Sequence, residues 1–172
     1  VAFSMNAFSA LTSAATILFL FWTLVRLALR FSGNDGTRGF QVQALAAGLI
    51  GSLAFAFTDT FWFSAVEAEV YAFSSLFTAI VFWAILRWEA LADEKHANRW
   101  ILLIAYLMGL SIGVHLLNLL AIPAIALIVY FKKFKTTARG ILITLALSFA
   151  IILFIMYGIV QGTPTVAQWF EI

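Results

Sequence analysis

Three carboxylates and a tyrosine, close together in an otherwise apolar sequence, are the residues best suited to chemistry. Asp59, Glu67, Glu69 and Tyr71 all fall between positions 58 and 71. Carboxylates exchange protons, and a carboxylate near or within a membrane is costly enough to be a functional candidate by default. We therefore take these four residues as candidates for lining a substrate cavity. Glu67 is the strongest candidate of the four. Glu69 has a second interpretation, as a residue that is simply exposed to solvent.

The same stretch carries the signal of a helix start. Thr58 and Asp59 precede an apolar run, and their side-chain oxygens can accept hydrogen bonds from the free N–H groups of a first helical turn. We therefore expect one of them to cap a helix that starts near Phe61. For Asp59 this leaves two interpretations open, a helix cap alone or a residue of the cavity.

Polar residues along the predicted helix recur at intervals of three and four, which places them on one face. They are Ser64, Glu67, Tyr71, Ser74 and Thr78. A polar stripe on an apolar span is expected to face the bundle interior. Glu67 and Tyr71 would then lie side by side on the helix, with Glu69 pointing elsewhere. The hydroxyl groups have a plainer alternative role, which is hydrogen bonding between helices.

One histidine falls where a polar side chain is unexpected. His115 lies inside an apolar run with Asn118 three residues later, whereas His96 lies in a charged loop. His115 can line a polar cavity, where it would donate to an anion such as phosphate or carry a proton. The alternative is a hydrogen bond to a helix carbonyl. The nearby spacing of Gly109 and Gly113 is typical of close helix packing.

Composition places these residues in a membrane. Of the 172 residues, 64% are hydrophobic and 10% are charged, whereas soluble domains are about half apolar and about a quarter charged. There is no cysteine, which excludes disulfides and thiol nucleophiles. We find no phosphate-binding loop, nucleophile elbow or metal-ligand pair. Basic residues lie in short loops, so we expect no nucleic-acid partner. The fold class expected is all-α, a polytopic transmembrane helix bundle.

About six apolar stretches form one predicted transmembrane domain over residues 1–172. They cover residues 5–29, 43–60, 61–88, 100–114, 116–131 and 141–160. The fourth and fifth would form a hairpin with its tip near Gly113–His115. Each arm of about 15 residues spans ~22 Å, which is too short to cross a hydrocarbon layer of ~30 Å. We therefore expect the tip to be submerged in the membrane.

Positive charge predicts the topology. With the hairpin, all ten basic residues fall on one face, which the positive-inside rule makes cytoplasmic. They are Arg26, Arg30, Arg38, Arg87, Lys95, Arg99, Lys132, Lys133, Lys135 and Arg139. The opposite face then holds His115 and four acids, which are Asp59, Glu67, Glu69 and Glu171. We expect this face to be extracytoplasmic, which in a bacterial cell would be the periplasmic face of the cytoplasmic membrane.

Several sequence blocks carry a resemblance to a known family. They are Asn6–Leu11, Ile17–Thr23, Asp59–Tyr71, Ala97–Trp100 and Gly109–Asn118. Together they resemble a bacterial membrane family catalogued as a domain of unknown function. That family is related to the protein O-mannosyltransferases that act on plexin-type receptors. It is also similar to the C-type glycosyltransferase superfamily, and the resemblance covers essentially the whole chain.

The resemblance implies transfer of a mannose-like sugar from a polyprenyl-phosphate carrier to a protein or glycan acceptor on the extracytoplasmic side. A carboxylate would act as general base on the acceptor hydroxyl, and the lipid phosphate would leave. Asp59, Glu67 and Tyr71 would then line the cavity, and His115 and Asn118 would lie near the carrier phosphate. The lipid-linked sugar is a substrate, and no further cofactor or metal is implied.

The resemblance also implies that this chain is a fragment. Relatives carry an acidic loop with the probable catalytic aspartate before the region matched by Val1 onward, so we expect the fragment to be inactive alone. Two other classes of function stay open. Short helices with polar tips at membrane depth are also typical of transporters or flippase-like subunits. A non-catalytic membrane anchor would not depend on the outer carboxylates.

Overall fold

The chain is helical throughout the part that the structure describes. A computed structural model describes residues 2–31, 37–67 and 69–170, and the predicted outer-face acid Glu171 lies outside them. Within this part 87% of the chain is helix and no strand occurs, which confirms the predicted all-α class. The chain forms two compact units, Val1–Asn118 and Leu119–Ile172. The extent of a single transmembrane domain stays a prediction.

The first unit is built around one central helix. Its helices are α1 (Ala2–Phe31), α2 (Arg38–Ala56), α3 (Asp59–Val66), α4 (Val70–Leu91) and α5 (Asn98–Ile112). Helix α1 packs against α2 and α4, and α4 also packs against α5. Val81, Ala84 and Ile85 of α4 are completely buried. The core of the unit therefore runs along α4, and this helix and α1 carry most of the residues discussed below.

Small residues bring α2 close to α1. The buried residues of α2 are Ala44, Gly48 and Ser52, which are spaced by four. A Cβ atom at Gly48 would lie 2.5 Å from Val25 Cγ2, so a larger residue does not fit there without a shift. By contrast, Gly109, which the sequence marked as a packing residue, has nothing within 4 Å. The close helix contact is made by α2 rather than by the Gly109–Gly113 motif.

The third predicted span is interrupted, and the prediction of one continuous helix over residues 61–88 is wrong. Helix α3 ends at Val66 and α4 begins at Val70. Glu67 and Glu69 both have extended backbone angles, with φ −95° and ψ 146° at Glu67 and φ −123° and ψ 164° at Glu69. Glu67 and Tyr71 are therefore not neighbours on one helix. Of the predicted polar stripe, only Tyr71, Ser74 and Thr78 lie together on one helix, α4.

The second unit has helices of three kinds. A 3-10 helix, Leu116–Ala121, leads into α6 (Ile122–Lys133), which packs against α7 (Ala138–Leu153). A π-helical segment, Phe154–Val160, follows, and α8 (Gly162–Gln168) comes after it. The last part of the predicted span 141–160 is thus π-helical. Thr137 caps α7, since its Oγ1 accepts a hydrogen bond from Gly140 N at 3.0 Å.

Five helical segments are long and apolar enough to cross a membrane. They are Phe3–Phe31, Arg38–Ala56, Val70–Leu91, Leu116–Lys133 and Ala138–Gln168, and Asn98–Ile112 is a shorter apolar helix. The chain is a multi-pass membrane protein. The helix is interrupted at Gly113–His115, where the hairpin tip was predicted. The segment after it has 18 residues, more than expected, and is not too short to cross. Which side each loop faces stays a prediction.

Candidate functional site

The predicted carboxylates come together in one cleft of about 870 Å³, which we call the acidic cleft. Asp59, Glu67, Glu69 and Tyr71 all line it, so the expectation that Glu69 points elsewhere is wrong. The remaining lining residues are Phe55, Thr58, Thr60, Phe61, Phe63, Ser64 and Ser75. Among the described residues, the lining contains three carboxylates and no Lys or Arg, which suits a ligand that offers hydrogen-bond donors.

The turn between α2 and α3 positions Asp59 at this cleft. The Thr58 hydroxyl donates to Phe55 O at 2.8 Å, and Thr58 O accepts from Trp62 N at 2.9 Å. Phe61 is buried and its ring lies 4.8 Å from that of Phe55. Helix α3 begins at Asp59, two residues before the predicted start, and no side chain caps it. The Asp59 carboxylate is exposed and is not used as a cap.

The break between α3 and α4 positions Glu67 and Glu69. Glu69 N donates to Glu67 O at 2.9 Å, a bond that holds the extended segment. Glu67 is half-buried and Glu69 is exposed. Because the chain leaves the helix here, both carboxylates reach the same cleft, although a continuous helix would have turned them about 200° apart. The interruption is what assembles the acidic cleft.

A second cavity, of about 660 Å³, lies between α1, α2 and α4, and we call it the hydroxyl groove. It is lined by Thr16, Leu20, Thr23, Leu24, Gly51, Phe55, Tyr71, Ser74, Ser75, Thr78, Ala79, Phe82 and Leu117. None of these residues is charged. Thr16 and Thr23 donate to carbonyls one turn back on α1, at 2.8 Å each. The groove is therefore an apolar channel with hydroxyl oxygens along two walls.

The hydroxyl of Ser74 is buried in the hydroxyl groove without a hydrogen-bond partner among the described residues. Ser74 is 2% exposed, and its Oγ makes no hydrogen bond to any described residue. Ser74 O meanwhile accepts from Thr78 Oγ1 at 3.2 Å. A buried polar group without a partner costs free energy, so Ser74 Oγ is suited to bind a polar atom of an occupant.

The acidic cleft and the hydroxyl groove adjoin. Phe55, Tyr71 and Ser75 line both. Phe55 comes from the last turn of α2, and the other two from the first turns of α4. The half-exposed ring of Tyr71 stands where the charged cavity meets the uncharged one. A molecule with a polar head and an apolar tail could therefore occupy both.

His115 reaches this site through Tyr71. The two rings are 5.3 Å apart between centroids. His115 Nδ1 accepts a hydrogen bond from Leu117 N at 3.1 Å. A neutral imidazole that accepts at Nδ1 carries its hydrogen on Nε2. Nε2–H of a neutral His115 is therefore a hydrogen-bond donor beside Tyr71. His115 is not among the described residues that line either cavity, and its role toward an anion stays a prediction.

Asn118 is enclosed rather than facing a cavity. It is 1% exposed, and its Nδ2 donates to Ser111 Oγ at 3.0 Å. Ser111 Oγ in turn donates to Met108 O at 2.8 Å. These bonds tie the end of α5 to the segment after the interruption. Asn118 thus holds the turn that carries His115.

The sequence analysis missed the contribution of α1. Thr16 and Thr23 line the hydroxyl groove, and a signal was present, because four small polar residues recur along α1 at helical spacing. They are Ser9, Thr12, Ser13 and Thr16, and all four are buried. Ser75 was missed because it lies beside the predicted stripe rather than on it. No group of metal-ligating residues occurs in the described part of the chain.

Comparison with known proteins gives one match. Residues 1–138 match the family model described as "Protein O-mannosyl-transferase TMEM260 N-terminal domain". No curated protein and no solved structure gives a significant match to the chain. The matched region contains all of the acidic cleft and the hydroxyl groove, together with His115 and Asn118.

Proposed function

Because the chain belongs to the family of the TMEM260 protein O-mannosyl-transferase N-terminal domain, we propose that it forms part of a membrane glycosyltransferase. The reaction is transfer of a mannose-like sugar from a polyprenyl-phosphate carrier to a hydroxyl group of a protein or glycan acceptor. The transfer takes place on the extracytoplasmic side of the membrane, which in a bacterial cell is the periplasmic face of the inner membrane.

One observation carries this proposal. A cleft lined by three carboxylates opens onto an uncharged groove, and Tyr71 stands at the junction. A lipid-linked sugar has the matching shape, with a hydroxyl-rich head and a long hydrocarbon tail. Carboxylate oxygens accept hydrogen bonds from sugar hydroxyls, and the apolar walls of the groove accommodate the first part of the tail.

The cleft supplies groups for the displacement. Asp59, Glu67 and Glu69 offer acceptors for sugar hydroxyls. A carboxylate general base takes the proton of the acceptor hydroxyl, and we do not assign this role to any of the three, because the family resemblance implies a catalytic aspartate in an acidic loop that relatives carry. As the acceptor oxygen attacks the anomeric carbon, the bond from the sugar to the carrier oxygen breaks, and the phosphate leaves with the electron pair. The configuration at the anomeric carbon inverts.

The leaving phosphate needs a hydrogen-bond donor. His115 has one in Nε2–H, and Tyr71 holds the ring beside the junction of the two cavities. A donor to a developing anion stabilises the transition state more than the ground state. In this proposal Asn118 acts on the phosphate indirectly, because it fixes the turn on which His115 lies.

The test is transfer activity of site variants in membranes that contain the intact enzyme. With a radiolabelled lipid-linked mannose donor and a hydroxyl acceptor, we expect His115→Ala to lower transfer by about 100-fold, in the range of one oxyanion donor. Glu67→Gln should lower transfer by about tenfold or more, since a hydrogen bond to a charged group is worth about 1.5–3 kcal/mol. Glu94→Gln serves as the matched control, because Glu94 is an exposed carboxylate outside the acidic cleft.

Unchanged transfer in Glu67→Gln and His115→Ala, with normal membrane insertion, would overturn the proposal. Uptake of a lipid-linked sugar into vesicles without transfer would support the transporter alternative. Wild-type activity in variants of all three cleft carboxylates would support a non-catalytic anchor instead.

A further inference from the structure

A cluster of arginines lies at the C-terminal ends of α1 and α4, away from the acidic cleft. Arg26 and Arg30 are in the last turns of α1, and Arg87 and Glu89 are in the last turns of α4. Arg30 forms an ion pair with Glu89. This contact shows that the C-terminal ends of the two helices lie at the same end of the first unit.

The charges in this cluster do not balance. Arg26 lies within electrostatic range of Arg87, Glu89 and Arg30. Among the described residues that act electrostatically on Arg26, two are arginines and one is a carboxylate, so positive charge is in excess around it. Glu89 is engaged by Arg30, and neither Arg26 nor Arg87 forms an ion pair with a described residue. Like charges at close range repel one another, so this arrangement favours binding of an anion from outside the chain.

An aromatic cleft adjoins the arginines. It has a volume of about 350 Å³ and is lined by Trp22, Val25, Arg26, Leu29 and Trp83. The rings of Trp22 and Trp83 are 6.1 Å apart between centroids. Trp100, near the start of α5, lies edge-on to Trp83 at 5.6 Å. Arg26 therefore presents its charge at the rim of an apolar slot between two membrane-spanning helices.

We propose that this cleft binds an anionic phospholipid. Arg26 and Arg87 bind the headgroup phosphate, and the first part of one acyl chain lies between Trp22 and Trp83. Trp and Arg are the side chains expected at the membrane–water boundary, where headgroup phosphates are found. The proposal holds for whichever leaflet these helix ends face, and it does not rest on the glycosyltransferase reaction.

A phospholipid fits the cleft better than a free anion does. Inorganic phosphate would satisfy the guanidinium groups and leave the tryptophan-lined slot exposed. Basic residues at helix ends also serve as insertion signals, for which charge alone matters. Insertion does not require that Arg26 line one cleft with two tryptophans, nor that Arg87 of another helix lie within electrostatic range of it. The lipid interpretation accounts for both.

The test measures lipid retention. The chain is reconstituted in vesicles of equal phosphatidylcholine and phosphatidylglycerol, then extracted in mild detergent, and the bound lipids are counted by native mass spectrometry. We expect the wild type to retain phosphatidylglycerol over phosphatidylcholine. Arg26→Gln and Arg87→Gln should each lower that retention by about fivefold, the effect of one basic residue at an anionic surface. Arg26→Lys should keep most of it.

Two further variants distinguish lipid binding in the cleft from a general effect of positive charge. Arg139→Gln removes the same charge from an exposed residue of α7, in the second unit, and should leave retention unchanged. Trp22→Ala keeps every charge and should lower retention. If Arg26→Gln does not fold, the lipid retention of Arg87→Gln tests the proposal, because Arg87 is exposed and its substitution should not disturb the fold.

Three results would overturn the proposal. One is wild-type retention of phosphatidylglycerol by both glutamine variants. The second is an equal loss in Arg139→Gln, which would make the effect nonspecific. The third is displacement of the bound lipid by excess inorganic phosphate, which would show that the arginines recognise the phosphate alone.

Discussion

The imidazole ring of His115 lies against the phenol ring of Tyr71, with centroids 5.3 Å apart and planes inclined at 53°. Tyr71 is in the first turn of α4, and His115 lies in the interruption after α5. The contact joins two segments that are distant in the chain, at the point where the acidic cleft meets the hydroxyl groove. Tyr71 thus has two roles to test, one for its ring and one for its hydroxyl.

Removing the ring of Tyr71 should affect transfer more than removing its hydroxyl. Tyr71→Ala deletes the surface that orients His115, and an aromatic pair contributes about 0.5–1.5 kcal/mol, so we expect kcat/KM for the lipid-linked donor to fall by up to about tenfold. Tyr71→Phe keeps the ring and should stay within about twofold of the wild type. The assay is transfer by each variant over a range of donor concentrations.

An equal loss in Tyr71→Phe and Tyr71→Ala would assign the effect to the hydroxyl group instead. The double variant Tyr71→Ala with His115→Ala is the internal control. If the ring acts through His115, the double variant should be no worse than His115→Ala alone.

The acidic cleft shows which part of the site could be predicted from the sequence. The residues themselves were found, because three carboxylates in an apolar chain are conspicuous. Their arrangement was not, since the stretch from Thr58 to Tyr71 contains neither Gly nor Pro, the residues that usually mark an interruption. Periodicity tells which residues share a face if a helix continues. It does not tell where packing makes the backbone leave the helix.

Helix packing shows the same limit. Apolar runs predicted the helices, but the small-residue packing motif recognised in the sequence was Gly109–Gly113, and the close contact at Gly48 was not predicted. Gly109 and Gly113 have the spacing of a packing motif, yet Gly109 faces open space. Gly48 has Phe21 O 3.3 Å and Val25 Cγ2 2.5 Å from the position of a Cβ atom.

Gly48→Ala should therefore destabilise the first unit. The added methyl would meet Val25, whose branched side chain has little freedom to move, and overpacking of this kind costs about 1–3 kcal/mol. Gly109→Ala is the matched control, since its methyl meets nothing and a helix interior favours Ala over Gly. Thermal unfolding in detergent should show a lower Tm for Gly48→Ala and an equal or higher Tm for Gly109→Ala. Equal Tm values for Gly48→Ala and the wild type would refute the close contact.

Glu89 should matter more for stability than its partner Arg30. Glu89→Gln removes the carboxylate that pairs with Arg30 and acts on Arg26, whereas Arg30→Gln removes one ion-pair partner and one repelling charge together. The Arg30 side chain is 61% exposed, so its loss should cost less than about 1 kcal/mol. In denaturation at low salt, Glu89→Gln should be less stable than Arg30→Gln. High salt screens the repulsion between the arginines, so the difference in stability between the two variants should become smaller. The reverse order at low salt would show that the arginines do not repel one another.

Ser111 and Asn118 should behave as one polar unit. Both are 1% exposed, and Asn118 Nδ2 donates to Ser111 Oγ at 3.0 Å. The Asn118 Oδ1 atom already has no partner among the described residues. Ser111→Ala takes away the remaining acceptor, and a buried donor left without one costs about 1–3 kcal/mol. Asn118→Leu in the same chain removes that donor and keeps the number and branching of the side-chain heavy atoms. The double variant should therefore be more stable than Ser111→Ala alone, as measured by Tm in detergent. A double variant that loses the sum of the two single losses would mean that the amide and the hydroxyl are not coupled, and that His115 is held by other contacts.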